Sequence, residues 1–339
     1  MTHFSHIGFL IPGNFAEEDP LTGLEQTLDL IAEGEVLGYD SAWVRQRHLE
    51  RGISSAATFL AAATQRTKTI GLGTAVIPLG YENPFRLAED LATVDVLSKG
   101  RLNVGVSANP PQFGDLLGDL LYDGHPSLID FGHGRAERLA RALRSEPMSD
   151  QAVAGNAAGA QVPRLQPVAK GLTNRLWYGG GSLKSAEWAG RNGWHMLTGN
   201  IVTGEATDDF RAAQGGLIDR FLASWQGAVG PRIALGRVIL PLDGASPAQR
   251  RRYRDYVASR HARTLGPQGP KRTLFAPDII GTLDEILDHL SHDPIAQRVS
   301  EFRLELPYEF PHDDYAQIVR DFARILPRLR AAPLRQTGS

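Results

Sequence analysis

Short runs of apolar, mostly β-branched residues alternate along the whole chain with longer stretches in which apolar residues recur every three or four positions. Continuous apolar runs are typical of strands in a parallel sheet that is buried on both faces, and the three-to-four spacing indicates helices. We count eight such units. The predicted strands are residues 6–11, 41–45, 69–77, 102–107, 175–178, 194–197, 233–240 and 301–306.

Two stretches show the helical period most clearly, 210–225 and 315–329, where the apolar residues fall on one helix face. Each such side chain contributes about 1.5–3 kcal/mol when it is buried, which is enough to hold a helix against a sheet. We therefore predict a (β/α)8 TIM barrel, a single domain over residues 1–330 with insertion loops at the carboxyl ends of the strands. An open doubly wound sheet is the alternative. A disordered tail is predicted at 331–339.

The composition narrows the chemistry. The 339 residues include no cysteine, which excludes disulfides, zinc–thiolate sites, iron–sulfur clusters and thiol nucleophiles. A net charge of −2 without blocks of like charge argues against nucleic acid or a membrane as partner and favours a small molecule. No metal site is predicted, since His289 and His292 lack a third ligand nearby. The missing secretory leader and missing long apolar run predict a cytoplasmic location.

A glycine-rich turn follows the fifth predicted strand. Tyr178 leads into three glycines and then into a helix that begins near Ser182. Glycines let backbone N–H groups approach a ligand closely, and a helix amino terminus carries about half a positive charge. The pattern fits a phosphate, with Ser182 and Ser185 as added hydroxyl donors, or a plain turn with a serine cap. It matches neither a Walker loop nor a dinucleotide fingerprint.

Two further segments lie at the rim where barrels place their active sites. Residues 70–78, IGLGTAVIP, end a strand in small residues. Such residues would let a flat isoalloxazine ring lie against the backbone. Alternatively, the segment is a central strand in which glycine gives clearance for packing. Residues 43–50, WVRQRHLE, end another strand in a polar cluster. Arg47 and His48 in this cluster could orient an oxyanion or transfer a proton near a cofactor. The alternative is that they form only a cationic loop tip.

In this order, the segments resemble the luciferase-like monooxygenase family, whose members are (β/α)8 barrels that bind FMN or the deazaflavin F420. The resemblance extends over most of the chain and is more specific for the family than for a substrate. It rests on Gly73-Thr74-Ala75-Val76 through Asn83-Pro84 to Lys99-Gly100-Arg101, on Tyr178-Gly179-Gly180-Gly181-Ser182, on Trp43, and more weakly on Ile280-Gly281-Thr282.

The resemblance implies a role for each matched position. The bond between Ala75 and Val76 matches the non-proline cis peptide that supports the flavin ring, and Ser107 lies beside that ring. Arg47 and His48 are the candidate catalytic residues. The residues that would hold the FMN phosphate are Gly180, Gly181, Ser182 and Ser185.

Three positions depart from the pattern of the luciferases. Gln46-Arg47-His48 stands where luciferases carry Glu-His-His, so Arg47 replaces the first histidine and light emission is not expected. Where luciferases carry an arginine near the phosphate, this chain has Ala108, and where they carry a carboxylate in the phosphate turn, it has Gly181. Phosphate binding is therefore expected to depend more on backbone N–H groups and serine hydroxyls than it does in the luciferases.

The resulting hypothesis is a two-component monooxygenase that uses reduced FMN and O2 to oxygenate a small organic substrate through a flavin C4a-hydroperoxide. Because no nicotinamide fingerprint is visible, reduced flavin comes from a separate NAD(P)H:flavin reductase or from transient NAD(P)H binding. One alternative is an F420-dependent hydride-transfer enzyme, which needs a basic groove for the longer anionic tail of F420. The absence of a run of Arg or Lys beside the phosphate turn in the sequence argues against this alternative. The other is a non-catalytic flavin-binding protein.

Assembly and substrate depend on features outside these motifs. Family members often pair through helices two and three, and the alanine-rich stretch 54–67 has side chains small enough for close helix approach. We therefore predict a homodimer. The loops at 109–134 and 266–277 are expected to form lids over the site and to determine the substrate.

Overall fold

Eight parallel strands pair in chain order around a closed ring. In the computed structural model, which describes residues 3–155 and 159–330, each strand pairs with the next and the eighth returns to the first. The predicted (β/α)8 barrel is confirmed, whereas the tail predicted at 331–339 lies outside the described residues. The barrel strands are β1 His6–Ile11, β2 Ser41–Val44, β3 Gly71–Thr74, β4 Leu102–Ser107, β5 Leu176–Gly179, β6 His195–Thr198, β7 Ile233–Pro241 and β8 Glu301–Glu305.

Helices connect the strands and pack their apolar faces against the barrel. The local sequence sets where they begin: proline occupies the first turn of the first, third and eighth helices, and Asn83 and Ser182 cap two helices with side-chain oxygens. The helices are α1 Pro20–Val36, α2 Ala56–Arg66, α3 Pro84–Leu97, α4 Gly114–Leu117, α5 Gly134–Leu143, α6 Leu183–Arg191, α7 Phe210–Ala223, α8 Pro247–His261, α9 Leu283–His292, α10 His312–Ala323 and α11 Leu326–Arg330.

Short elements decorate the ends of the barrel. Further strands lie at Ile77–Pro78, Val153–Ala154, Ala160–Gln161, Ile201–Thr203, Thr273–Phe275 and Ile279–Gly281, and 3-10 turns at Leu79–Tyr81, Gly118–Leu120, Pro126–Leu128, Leu172–Arg175, Ala262–Thr264 and Ala296–Arg298. Ile201–Thr203, after β6, pairs antiparallel with Thr273–Phe275, from the long segment between β7 and β8. This pairing brings that segment to the carboxyl ends of the strands.

Two predicted elements are divided in the structure. The strand predicted at 69–77 is β3 alone, and pairing resumes only at Ile77–Pro78, which aligns with Val106 and Ser107 of β4. The last helical stripe is shared between α10 and α11, with Arg324 as the carboxyl cap of α10. The apolar residues of that stripe are nevertheless buried, because both helices turn the same face to the barrel.

The interior of the barrel holds a small core of its own, separate from the core between strands and helices. Trp43 and Trp177 meet there edge to face, with ring centroids 5.6 Å apart. Gly73 makes room for one of them, since a Cβ at this position would lie 2.3 Å from Cε3 of Trp43. The two indole rings form a floor beneath the carboxyl ends of the strands. Within residues 3–155 and 159–330, every helix is too short or too polar to cross a lipid bilayer.

Candidate active site

A cavity of about 470 Å³ opens at the carboxyl ends of the strands. A second cavity of about 240 Å³ adjoins it, and the two share Arg45, Arg47, Ala75 and Val76. Most of the predicted site residues line this pair: Arg47, Ala75, Val76, Gly180 and Gly181 line the larger cavity, and His48 and Ser107 line the smaller one. Ser182 and Ser185 line neither of them.

The break after β3 forms a ledge between the two cavities. The peptide bond between Ala75 and Val76 is cis, as the resemblance implies. The N–H of Ala75 donates to the carbonyl of Val44 at 2.8 Å, which ties the ledge to the end of β2. Across the cavity, a Cβ at Gly179 would lie 2.6 Å from Cγ1 of Val76, so the glycine allows the ledge and the end of β5 to approach each other.

The glycine turn joins β5 to α6, as predicted, and Ser182 caps the helix. The Oγ of Ser182 accepts from the N–H of Ser185 at 3.1 Å, and the two hydroxyl groups lie 2.9 Å apart. A carboxylate also reaches this helix end, because the N–H of Leu183 donates to Glu205 at 3.1 Å. The exposed Glu205 thus uses one of the backbone donors that the sequence suggests for a phosphate.

Positive side chains from the segment between β7 and β8 line the same cavity as the glycine turn. They are Arg260, Arg263 and Lys271. Arg260 is paired with Asp278 through two hydrogen bonds of 2.6 and 3.2 Å. Arg263 packs over the ring of Phe275 at 4.4 Å, and among the described residues its Nε has no hydrogen-bond partner. No run of Arg or Lys flanks the turn in the sequence, and these basic residues come instead from a distant part of the chain.

Arg47 is held over the site by Tyr308. Its Nη2 donates to the hydroxyl of Tyr308, and its guanidinium lies 5.1 Å from the centroid of that ring. The guanidinium of Arg45 lies 4.9 Å from the same centroid. Glu50 is the acidic neighbour of Arg47, with a carboxylate oxygen 4.0 Å from its Nε. Arg47 is therefore a cation with few neutralising contacts at the junction of the two cavities.

His48 lies beside Arg47 in the smaller cavity and is held as a neutral ring. It stacks on Tyr81 with centroids 3.9 Å apart, and its Nε2 lies 2.9 Å from the side-chain nitrogen of Gln46. Burial lowers the pKa of His48 below the ordinary histidine value. Gln46 in turn contacts Glu82 at 2.6 Å. A neutral imidazole that faces a cavity can accept or pass on a proton.

Sequence reasoning missed a buried charged cluster in the top layer of the barrel. Glu305 of β8 is buried, and its Oε2 accepts from Arg45 and from Asn200, each at 2.9 Å. Arg303, two residues earlier on β8, approaches the other carboxylate oxygen at 3.4 Å. All four line the larger cavity. The signal lies in β8 itself, where charged and apolar residues alternate in EFRLE, although the prediction read this stretch as an apolar run.

The electrostatics of this cluster favour an ionised carboxylate. Burial alone would raise the pKa of Glu305, but the guanidinium groups of Arg45 and Arg303 outweigh burial and lower it. Gly236 on β7 provides the space, because a Cβ there would lie 1.9 Å from Oε1 of Glu305. The layer therefore carries two guanidinium groups against one carboxylate.

The sequence matches known proteins over part of its length. A family model described as luciferase-like monooxygenase matches residues 5–217. The chain is 37% identical to limonene 1,2-monooxygenase of Rhodococcus erythropolis over 110 residues, which are 32% of this chain and 28% of that protein. The match to this curated relative thus spans less than a third of its length.

Solved structures match over nearly the whole chain. One is a type II Baeyer–Villiger monooxygenase in complex with FMN, the oxygenating constituent of 3,6-diketocamphane monooxygenase from Pseudomonas putida. The match has a TM-score of 0.66 and 14% sequence identity, and it covers 96% of this chain and 97% of that one. Another is an F420-dependent secondary alcohol dehydrogenase in complex with an F420–acetone adduct, with a TM-score of 0.64, 18% identity and coverage of 97% and 100%. At these identities the likeness shows the fold.

Proposed function

The chain belongs to the luciferase-like monooxygenase family, and on that premise we propose that it is a two-component monooxygenase that uses reduced FMN and O2 to oxygenate a small organic substrate. The observation that carries the proposal is the 470 Å³ cavity, which runs from the ledge at Ala75 and Val76 to the glycines Gly180 and Gly181. Backbone suited to a flat ring and a turn suited to a phosphate thus line one cavity, which supports the proposal.

The residues present fit FMN. The ring would lie on Ala75 and Val76 near Ser107, and the phosphate would lie at the glycine turn. Ser182 and Ser185, at the start of α6, directly follow that turn. Arg263 and Lys271 line the same cavity and would offset the phosphate charge that Ala108 cannot. When bound, reduced FMN supplies the electrons that activate O2.

The chain's own groups would bind the substrate, exclude water and manage protons. Arg47, fixed by Tyr308 at the junction of the cavities, would hold a negative charge that develops near the ring. His48, kept neutral by burial, would accept or pass on a proton beside it. Limonene 1,2-monooxygenase and the FMN-bound Baeyer–Villiger monooxygenase support an oxygenase, since both are named for oxygen transfer.

A hydride-transfer enzyme that uses F420 is the second candidate. The observation that favours it is the set Arg260, Arg263 and Lys271, because a cationic wall beside the phosphate turn suits the longer anionic tail of F420. A structural neighbour is an F420-dependent alcohol dehydrogenase. We rank it second because Arg260 is already neutralised by Asp278.

A titration separates the two candidates. The purified protein is titrated with FMN, oxidised and then reduced with dithionite, and with F420 in the same buffer, while the absorbance spectrum is followed. Tight binding of reduced FMN is expected, followed by O2-dependent product formation when a flavin reductase supplies reduced FMN. Saturable binding of F420 alone would assign the protein to hydride transfer, and binding of neither would refute the phosphate turn.

A further inference from the structure

The charged layer beneath the cavity has more positive than negative charge. Glu305 accepts from Arg45 at 2.9 Å and lies 3.4 Å from Arg303, so two guanidinium groups share one carboxylate. Asn200, the other partner of Glu305, is neutral. One positive charge is therefore left without a counter-charge at a place that lines the cavity.

Arg303 is the residue whose bonding is least complete. Its side chain is only 5% exposed, and its guanidinium lies over Trp43 at 5.5 Å from the ring. In the part of the chain that the structure describes, its Nε and Nη1 have no hydrogen-bond partner, and neither has Nε of Arg45. A buried donor without a partner costs about 1–3 kcal/mol, and more when it is charged. Such a cost is explained if a ligand completes the bonding.

We propose that this layer is an anion site that takes the carboxylate of the substrate, so that the substrate class is the organic monocarboxylates. The identity of the reaction rests on the proposed function, whereas the anion site rests on the charges alone. Arg303 and Arg45 bind the carboxylate, because the planar guanidinium fork matches the two oxygens of a carboxylate. One uncompensated positive charge matches one negative charge.

Glu305 is a positioning residue in this arrangement. It holds both guanidinium groups at the floor of the cavity, and Gly236 leaves it the space to do so. The carboxylate of the substrate would point down toward Trp43, and the rest of the molecule would extend up toward the ledge at Ala75. The substrate would therefore enter with its apolar end nearest the ring.

The chain offers a matched control for Arg303. Arg232 lies over Trp177 at 4.6 Å, much as Arg303 lies over Trp43, but its Nε and Nη2 are both bonded to the carboxylate of Glu301. Arg232 does not line the cavity. A change at Arg232 therefore affects a stacked barrel arginine that lies outside the lining of the cavity.

The test is calorimetric binding of benzoate and of benzamide, its neutral counterpart of the same shape, to the protein with and without oxidised FMN. Benzoate is expected to bind about tenfold or more tightly than benzamide, since hydrogen bonds to charged groups are worth about 1.5–3 kcal/mol. Arg303→Gln is expected to remove that preference, Arg303→Lys to keep part of it, and Arg232→Gln to leave it unchanged. Circular dichroism checks that each variant folds.

Equal binding of benzoate and benzamide by the wild type, binding of neither, or an unchanged preference in Arg303→Gln would overturn the proposal. If Arg303→Gln does not fold, Arg303→Lys decides, because a full benzoate preference without the guanidinium fork would also overturn it. Flavin absorbance, measured on the same samples, distinguishes a failure of the proposed function from a failure of the anion site. A benzoate preference without FMN binding refutes the proposed function alone, and FMN binding without the preference refutes the anion site alone.

Discussion

Glu205 accepts a hydrogen bond from the backbone N–H of Leu183 at 3.1 Å, at the first residue of α6. An exposed carboxylate therefore already lies at the helix end where the FMN phosphate is proposed to bind. Two anions cannot share a helix amino terminus without repulsion. Glu205 must move or compete when a phosphate arrives, which makes the affinity of the turn depend on this side chain.

Replacing Glu205 with glutamine should tighten FMN binding. The amide keeps the shape but removes the negative charge, and a charge at a helix end is worth about 0.3–1 kcal/mol, or about twofold to fivefold in affinity. The measurement is a fluorescence titration with FMN and with riboflavin, which lacks the phosphate. Riboflavin affinity should not change. Glu187→Gln, farther along α6, is the control, because Glu187 pairs with Arg191 and Arg220 instead. Weaker FMN binding by Glu205→Gln would contradict a phosphate at this turn.

The strands and the ledge were predictable from sequence because their signals are local. Seven of the eight strands were placed within one residue at each end, since apolar runs buried on both sides have few other interpretations. The glycine turn and the residues Ala75 and Val76 were likewise found from a short pattern. Ser182 was read correctly as a possible cap, and it is one.

The charged groups around the cavity were not predictable in the same way. Arg303 and Glu305 lie on a strand that was read as apolar, although their period of two places them inside the barrel, where charge is unusual. Arg263 and Lys271 line the same cavity as the glycine turn, and the segment that carries them is joined to the end of β6 by the pairing of Thr273–Phe275 with Ile201–Thr203. A pairing between strands some 70 residues apart has no signature in either segment.

The stability of the fold should depend on the neutral form of His195. Burial, and next the charge of Arg232, lower the pKa of His195 to about 4. Its Nε2 lies 3.1 Å from the carbonyl of Asn174, and its Nδ1 accepts from the N–H of Arg232 at 3.3 Å. The unfolded chain takes up this proton near pH 6.5. The free energy of unfolding should therefore fall as the pH drops from about 6.5 to about 4, by roughly 3 kcal/mol from this group.

Urea unfolding at a series of pH values tests this dependence. His195→Gln removes the titrating group, so its stability should be lower at neutral pH but flatter between about pH 6.5 and 4. His292→Gln serves as the control, because His292 is exposed on α9 and should leave the slope unchanged. A His195→Gln slope equal to that of the wild type would show that the imidazole is not held neutral.

The proposed homodimer can be tested at α2 and α3. Ala62 is exposed on α2, and the apolar Val96 and Leu97 are exposed on α3. Ala62→Glu should convert a dimer to a monomer in sedimentation velocity, because a charge would be buried where two helices approach closely. Val36→Glu at the end of α1, another exposed apolar position, is the control and should remain dimeric. A wild type that sediments as a monomer would refute the dimer.

Arg47 should matter more for turnover than for flavin binding. It lines both cavities and is fixed by the hydroxyl of Tyr308, so in the proposed complex its charge would lie beside the flavin ring and not at the phosphate. Arg47→Ala should lower kcat about 100-fold, typical for a group that stabilises charge or moves a proton, with FMN affinity changed by less than about threefold. The assay is O2-dependent product formation with reduced FMN supplied by a flavin reductase.

Tyr308→Phe is the informative companion of Arg47→Ala. It keeps the ring that lies against the guanidinium groups of Arg45 and Arg47 and removes only the hydroxyl that orients Arg47. Its loss of kcat should be smaller, about tenfold or less, because the charge remains in the cavity but is less well oriented. His48→Asn should also lower kcat while leaving FMN binding intact, since His48 lines the adjoining cavity. Unchanged turnover in Arg47→Ala would remove Arg47 from the active site and leave His48 as the candidate catalytic residue.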